Sequence, residues 1–143
     1  MFIGEYQHTV DAKGRMFVPA KFRDDLGETF IVTLGLDNCL FVFPQEEFDR
    51  LKAKLDAVSI ANKDARRFAR FFFARASECE LDKQGRIMLP QNLRTYAGLT
   101  KDVTVVGASN RVELWNTADW EDTHGLDTFS PEELSEKMEL LGL

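Results

Sequence analysis

Two copies of one short motif carry the side chains of this chain that are best suited to bind a ligand. Residues 11–15 read Asp-Ala-Lys-Gly-Arg and residues 82–86 read Asp-Lys-Gln-Gly-Arg, an offset of 71 positions (82 minus 11). In each copy an arginine follows an aspartate by four positions. Arginine presents a flat, permanently charged fork that can pair bidentately with a phosphate or with the O6 and N7 atoms of guanine. The motif is therefore a candidate contact for nucleic acid, displayed twice.

The other residues of each motif are predicted to shape the loop that holds the arginine. Asp11 and Asp82 can accept hydrogen bonds from backbone N–H groups of the turn that follows them. Gly14 and Gly85 provide a position at which a positive φ carries little steric penalty. An ordinary ion pair between aspartate and arginine, needed only for folding, accounts for the same spacing. The motif by itself leaves a structural role and a ligand-binding role open.

Both motifs lie inside a longer internal repeat. Each is followed by three apolar residues and a proline, and the correspondence continues through Gly35 and Gly107 to an aromatic residue at Phe48 and Trp120. Two copies of a unit of roughly 45 residues are too few for a solenoid. The repeat therefore predicts a pseudo-two-fold domain in which each copy completes the core of the other.

Each repeat is predicted to place its loop between two strands, followed by a short helix and a hairpin. Strands are expected at 2–10, 16–18, 30–34 and 40–43, then at 79–81, 87–89, 103–106 and 112–115, with short helices at 20–26 and from Pro90. Apolar spacing predicts two linking helices, one after Pro44 and one at 63–74. The capping box at 130–133 predicts a C-terminal helix, and the polar stretch 117–129 is expected to be a partly mobile connection.

These elements predict an α+β protein, mainly β, in one compact domain. Its expected parts are a first repeat at 5–47, linking helices at 48–75, a second repeat at 76–119 and an acidic C-terminal tail at 120–143. A length of 143 residues, 44% hydrophobic content and 12 phenylalanines are enough for a substantial core. Cys39 and Cys79 are too few for a disulfide framework and are predicted to be buried free thiols.

Charge is distributed unevenly along the chain. The net charge is −6, but residues 113–143 hold nine acids and one lysine, so the rest of the chain carries +2. Whole-chain acidity is therefore a poor guide to what a local surface binds. A basic stripe on the second linking helix can contact phosphates, face solvent or pair with the acidic segment of a neighbouring subunit. It consists of Lys63, Arg66, Arg67 and Arg70.

The order of these motifs resembles the bacterial MraZ family. The resemblance rests on the N-terminal Met-Phe-Ile-Gly-Glu-Tyr, both loops, Val-Pro-Ala-Lys-Phe-Arg at 18–23 and Asp-Ala-Arg-Arg-Phe-Ala-Arg-Phe-Phe-Phe at 64–73, and it covers about residues 1–122. It implies an AbrB-like fold of the SpoVT-AbrB swapped-hairpin superfamily, an intertwined β-barrel made from the two repeats. It also implies ring-shaped homo-oligomers that bind short G-containing direct repeats upstream of their own division and cell-wall operon, usually as repressors.

In that family the DNA-contacting motif is Asp-x-x-x-Arg, which falls on both loops. The resemblance therefore implies contacts to double-stranded DNA from Arg15 and Lys13 in the first loop (11–15) and from Arg86 and Lys83 in the second loop (82–86). The first loop is expected to contribute more than the second. Several subunits on consecutive repeats would raise avidity by about 10²–10⁴. Nothing in the resemblance transfers to the divergent acidic tail.

The sequence also predicts the cellular location of the protein and the absence of a cofactor, a membrane partner and a metal site. No apolar run approaches the ~20 residues of a membrane span, and the N-terminus lacks the features of a signal peptide. A cytoplasmic, nucleoid-associated protein is expected, with no cofactor, membrane partner or small-molecule substrate. His8 and His124 have no ligand-spaced partner, so no metal site is expected.

Two other classes of function compete with DNA binding. An enzyme would use Asp11 and Asp82 as paired carboxylates, but the arginine after each would hold it ionised. No nucleophile motif or phosphate-binding glycine loop accompanies them. An antitoxin-like or other protein-interaction module on the same fold, using the acidic tail, is the remaining alternative.

Overall fold

The two sequence repeats fold into the same succession of elements. The computed structural model describes residues 1–143. In the first repeat the elements are β1 (Phe2–Thr9), β2 (Arg15–Phe17), α1 (Ala20–Leu26), β3 (Thr29–Leu34), β4 (Leu40–Pro44), α2 (Gln45–Asp56) and α3 (Lys63–Phe73). In the second they are β5 (Ser77–Glu80), β6 (Arg86–Met88), α4 (Gln91–Ala97), β7 (Asp102–Ser109), β8 (Val112–Asn116), α5 (Thr117–His124) and α6 (Pro131–Leu140), with a 3-10 turn at Leu126–Thr128. Two helices therefore follow the last strand of each repeat.

The repeats pair their strands with one another. The main sheet has six antiparallel strands in the order β1-β7-β8-β4-β3-β5. The first strand of each repeat joins the third strand of the other, since β1 pairs with β7 and β5 with β3. Exchanging the repeats turns this order back into itself, so a pseudo-two-fold axis runs between β8 and β4. β2 and β6, one from each repeat, form a separate two-stranded ribbon.

The strands do not close into a barrel, so the predicted β-barrel is wrong in its closure. β1 and β5 are the two edges of the main sheet. The ribbon would close the sheet only by pairing along both edges. A single bridge, between Val10 and Met16, joins a residue next to β1 to the ribbon. The architecture is a mixed α/β fold with an open antiparallel sheet and six α-helices.

Side chains of the main sheet alternate between two apolar layers. On one face, Val32 and Leu114 join Met16 and Ile87 of the ribbon and residues of α1 and α4 in a core of 21 buried side chains. The other face carries seven buried residues, Ile31, Cys39, Phe41, Phe43, Phe48, Phe72 and Trp115. Phe48 belongs to α2 and Phe72 to α3. The ribbon and the helices α2 and α3 therefore lie on opposite faces of the sheet.

Helices α1 and α4 each begin after a proline and end before a glycine. Pro19 and Pro90 are the N-cap residues, and φ is +80° at Gly27 and +64° at Gly98, the residue after each helix. Glycine adopts such positive φ values without the penalty of a side chain. The ends of both helices are thus set locally, and Phe22 inside α1 is buried in the core.

The polar connection after β8 contains regular structure, namely α5 and the 3-10 turn at Leu126–Thr128. The Asn116 side chain accepts a backbone hydrogen bond at 3.0 Å and begins α5. Trp120 then packs against buried Trp115, with ring centroids 5.4 Å apart, and stacks on His124 at 4.8 Å. The local sequence is polar, but the partner that fixes it lies in the sheet.

The C-terminal helix and the cysteines follow the sequence prediction. α6 begins at the predicted capping box, where Ser130 Oγ accepts a hydrogen bond from the Glu133 amide at 3.4 Å. Cys39 and Cys79 are buried and unpaired. Burial raises the pKa of both thiols. None of the helices is both long enough and apolar enough to cross a membrane.

Candidate nucleic-acid interface

The first loop is closed by hydrogen bonds to one carboxylate. Asp11 Oδ1 accepts from the amides of Lys13 and Arg15 at 3.0 and 2.8 Å, and Oδ2 accepts from Arg15 Nε at 2.7 Å. Gly14 completes the turn with φ of +87°. A Cβ at Gly14 would lie 2.7 Å from the carbonyl oxygen of Leu89. Both the positive φ and the close approach therefore require glycine here.

The second loop repeats this geometry. Asp82 Oδ1 accepts from the amides of Gln84 and Arg86, both at 2.9 Å, and Oδ2 accepts from Arg86 Nε at 2.8 Å. Gly85 has φ of +82°. The third residue is lysine in the first loop and glutamine in the second, where Lys83 comes one position earlier. The two loops therefore hold their arginines alike and differ in the placement of the lysine.

Both aspartates are held in the charged form. The pKa of Asp11 is lowered chiefly by the backbone hydrogen bond from Arg15, and that of Asp82 by the matching bond from Arg86. A carboxylate with a lowered pKa anchors a loop and is a poor proton donor near neutral pH. The chain has no group of three or more His, Cys, Asp or Glu side chains suited to a metal ion. The aspartates therefore fix the orientation of the arginine side chains.

Each loop arginine keeps its two amino groups available. Within the protein only Nε of Arg15 and of Arg86 donates a side-chain hydrogen bond. The side chains remain 33% and 23% exposed. Nη1 and Nη2 of each guanidinium can therefore donate to a phosphate or to the edge of a guanine. Lys13 and Lys83 are exposed beside them.

The ribbon holds the two loops at its opposite ends and places their arginines diagonally across from one another. In its register Arg15 lies opposite Met88, and Phe17 lies opposite Arg86. Reciprocal bonds extend the ribbon at both ends, because backbone amides donate to the carbonyls of Gly14 and Gly85 at 2.8 and 3.0 Å. Diagonal neighbours across such a pair are about 7–8 Å apart. One ligand can therefore meet both arginines, although 71 positions (86 minus 15) separate them in the chain.

The outer face of the ribbon also carries two large apolar side chains that the repeat pattern did not single out. Met16 and Ile87 point into the core, each 1% exposed, whereas Phe17 and Met88 are 45% and 59% exposed. The guanidinium carbon of Arg86 lies 5.8 Å from the Phe17 ring centroid. The available signal was the strand period of two, which places the residue two positions after each arginine on the same face.

Two further arginines support the loops in a crossed arrangement. Arg23 and Arg94 each donate Nε to a carbonyl at the end of the ribbon strand of their own repeat, at 2.9 and 3.0 Å. Their guanidinium groups, however, lie against the loop of the other repeat. A Cβ at Gly14 would lie 2.8 Å from Arg94, and one at Gly85 would lie 2.4 Å from Arg23. The two arginines are 71 positions apart (94 minus 23), the offset of the internal repeat, but only the structure shows which loop each contacts.

The basic stripe is not joined to the loops. It comprises Lys63, Arg66, Arg67 and Arg70 on α3. Phe72 packs α3 against the face of the sheet opposite to the ribbon. The loops with their four sequence-predicted cationic residues and the stripe on α3 therefore lie on different surfaces of the protein.

Fold and site together define a pseudo-two-fold α/β protein that displays paired Asp-x-x-Gly-Arg loops. A family model described as "MraZ protein, putative antitoxin-like" matches residues 1–71 and 72–140, one match for each repeat. Proteins named transcriptional regulator MraZ from Acetivibrio thermocellus and Alkaliphilus oremlandii are 57% and 53% identical over 143 residues, the full length of each chain. The one from Carboxydothermus hydrogenoformans is 55% identical over 138 residues, 96% of both chains. This chain belongs to the MraZ family.

Proposed function

We propose that this protein is a sequence-specific DNA-binding regulator of transcription. The observation that carries the proposal is the meeting of two arginine-bearing loops on one two-stranded ribbon. The major groove of B-DNA admits a ribbon of this kind, and arginine paired with guanine is the commonest specific contact there. The shared name of the relatives, transcriptional regulator, supports the same conclusion.

The four loop cations have distinct proposed roles. Arg15 and Arg86 contact guanine edges or phosphates through their free amino groups, and Lys13 and Lys83 contact phosphates. The first loop contributes more than the second, because Arg15 is the more exposed arginine and Arg86 also lies near the Phe17 ring. The aspartates shape the loops and do not touch DNA.

We propose further that several copies bind consecutive direct repeats upstream of the protein's own operon and repress it. A single site with a few phosphate contacts binds weakly and loses affinity as salt increases. Joining copies in a ring raises avidity by about 10²–10⁴ when the spacing of the DNA repeats fits. Bound copies would then block RNA polymerase. The protein acts on the nucleoid in the cytoplasm and has no catalytic role.

The contact between copies is proposed to join α6 of one chain to α3 of the next. Every residue of α6 is exposed, including the apolar Leu134 and Met138, and the helix carries four glutamates and one lysine. α3 carries four basic residues and one acid. Phe68 lies beside Leu36 and Arg67 in an open groove at this helix. The two helices expose apolar side chains and carry opposite charges, so their surfaces are complementary. A head-to-tail contact of this kind closes into a ring when the rotation between neighbouring copies permits.

The experiment that tests the proposal is fluorescence anisotropy on a labelled duplex from upstream of the protein's own gene, with shuffled DNA as the reference. Arg15→Ala should abolish most repeat-dependent binding, and Arg86→Ala should weaken it less. Arg50→Ala, which removes an exposed arginine of α2, is the matched control. The slope of log affinity against log salt should fall by about one for each phosphate that a variant no longer neutralises. Unchanged binding by a folded Arg15→Ala variant contradicts the proposal.

The alternative is an antitoxin-like or other protein-interaction module. It rests on the exposed α6 and on the description of the matching family model. Met138→Glu, which places a charge on the apolar side of α6, distinguishes the ring-forming regulator from the protein-interaction module. Loss of self-association measured by sedimentation supports the ring. Loss of a stoichiometric complex with one partner protein, while self-association persists, supports the module.

A further inference from the structure

The exposed apolar side chains on the outer face of the ribbon indicate a ligand contact in addition to those of the arginines. Phe17 and Met88 occupy equivalent positions in the two repeats and lie diagonally across the ribbon from one another. Single exposed apolar residues are ordinary on protein surfaces. Here two large ones share one face with Arg15 and Arg86, and the inward positions between them are fully used by the core. Folding alone does not explain this pair.

We propose that Phe17 and Met88 contact the 5-methyl groups of thymines beside the guanines read by the two loop arginines. This inference rests on the proposed DNA binding and names what the ribbon reads besides guanine. The thymine methyl is the apolar group that the major groove displays, and apolar side chains recognise it there. A patch that combines two arginines with two apolar side chains matches a groove that offers acceptors and methyl groups together.

The spacing of the ribbon agrees with the spacing of base pairs. Residues two positions apart on a strand lie about 6.6 Å apart, which is about twice the rise of 3.4 Å per base pair. Phe17 would therefore meet a methyl group about two base pairs from the guanine contacted by Arg15. The Arg86 guanidinium at 5.8 Å from the Phe17 ring centroid places the apolar contact of one repeat beside the arginine of the other.

Charge around the patch favours DNA over a second copy of the chain as its occupant. Lys13 and Lys83 are exposed at the loops that flank it. The nearby carboxylates, Asp11 and Asp82, are already engaged by backbone amides and arginine side chains. The acidic α6 follows α5, whose Trp120 packs on the opposite face of the sheet. The cationic surroundings thus suit a polyanion.

The test replaces every thymine of the upstream duplex by deoxyuridine, which removes only the 5-methyl group. Wild-type protein should bind the thymine duplex about fourfold more tightly for each methyl group contacted. Phe17→Ala and Met88→Ala should each reduce this ratio toward one. Ile3→Ala, which removes an exposed apolar side chain from β1, should leave the ratio unchanged. Sedimentation of each variant records its assembly state.

Each result has a distinct meaning. Equal affinity of the wild-type protein for both duplexes overturns the thymine contact and leaves DNA binding intact. An unchanged ratio in both alanine variants, with weaker assembly, also overturns it and assigns the patch to contacts between copies. Absence of specific binding to either duplex overturns the proposed function itself. A ratio that falls in the alanine variants and not in Ile3→Ala supports the inference.

Discussion

The crossed placement of Arg94 and Arg23 leads to a prediction that separates the two loops. Arg94→Lys keeps the positive charge but removes the Nε–H that donates to the Leu89 carbonyl at 3.0 Å. It also removes the planar guanidinium that lies against Gly14. We expect the first loop to loosen, although Arg94 belongs to the second repeat. The second loop should be unaffected, because its glycine is contacted by Arg23.

The expected size of the effect follows from the hydrogen bond that the substitution removes. A bond with a charged donor contributes about 1.5–3 kcal/mol net when it is partly buried. If the cost falls on local opening of the first loop, its protected amides should exchange about 10- to 150-fold faster, since 1.4 kcal/mol is a factor of ten. The global free energy of unfolding should change by no more than the same amount.

Amide hydrogen exchange measured by NMR on the labelled full chain is the assay. In Arg94→Lys the Lys13 and Arg15 amides should accelerate, while the Arg86 amide keeps its wild-type rate. Arg23→Lys is the mirror control and should accelerate Arg86 alone. Equal acceleration of both loops in either variant, or acceleration of the loop in the same repeat, would refute the crossed arrangement. The assay needs no DNA and is independent of the proposed function.

Three further outcomes are expected. Gly14→Ala should lower the unfolding free energy measured in urea by about 1–3 kcal/mol more than Gly27→Ala, because both have positive φ but only Gly14 would also collide with Leu89. The Asp82 loop should stay closed in NMR spectra above about pH 4 and open as the pH falls through the lowered pKa of Asp82 in the folded chain. The reason is that the hydrogen bonds that lower this pKa form with the ionised carboxylate and are lost when it is protonated. Cys79 should react with a thiol reagent about 100-fold more slowly in the folded than in the unfolded chain, because burial raises its pKa and blocks access.

Three results would contradict these predictions. Equal costs for the two glycine substitutions would show that the backbone around Gly14 relaxes around a methyl group. Opening of the second loop well above pH 4 would mean that the amide bonds to Asp82 do not control its closure. A fast reaction of Cys79 in the folded chain would place that thiol in a segment that opens readily.

Short-range sequence determines the geometry of the loops and the ends of several helices. The repeat identifies two equivalent loops, and each aspartate bonds only to residues within four positions of it. Pro19 and Gly27 set the ends of α1, and Ser130 begins α6, for the same local reason. Interactions of this range need only backbone sterics and neighbouring hydrogen-bond groups, so pattern and spacing suffice to predict them.

Only the tertiary structure decided how these parts meet. The open sheet, the hydrogen bond from Trp120 Nε1 to Glu5 Oε1 and the crossed contact of Arg94 with Gly14 all join residues far apart in sequence. The ribbon register likewise decided that Arg15 and Arg86 share one face with two exposed apolar side chains. Such outcomes depend on which apolar surfaces pack together and which strand edges find partners, and no local pattern contains that information.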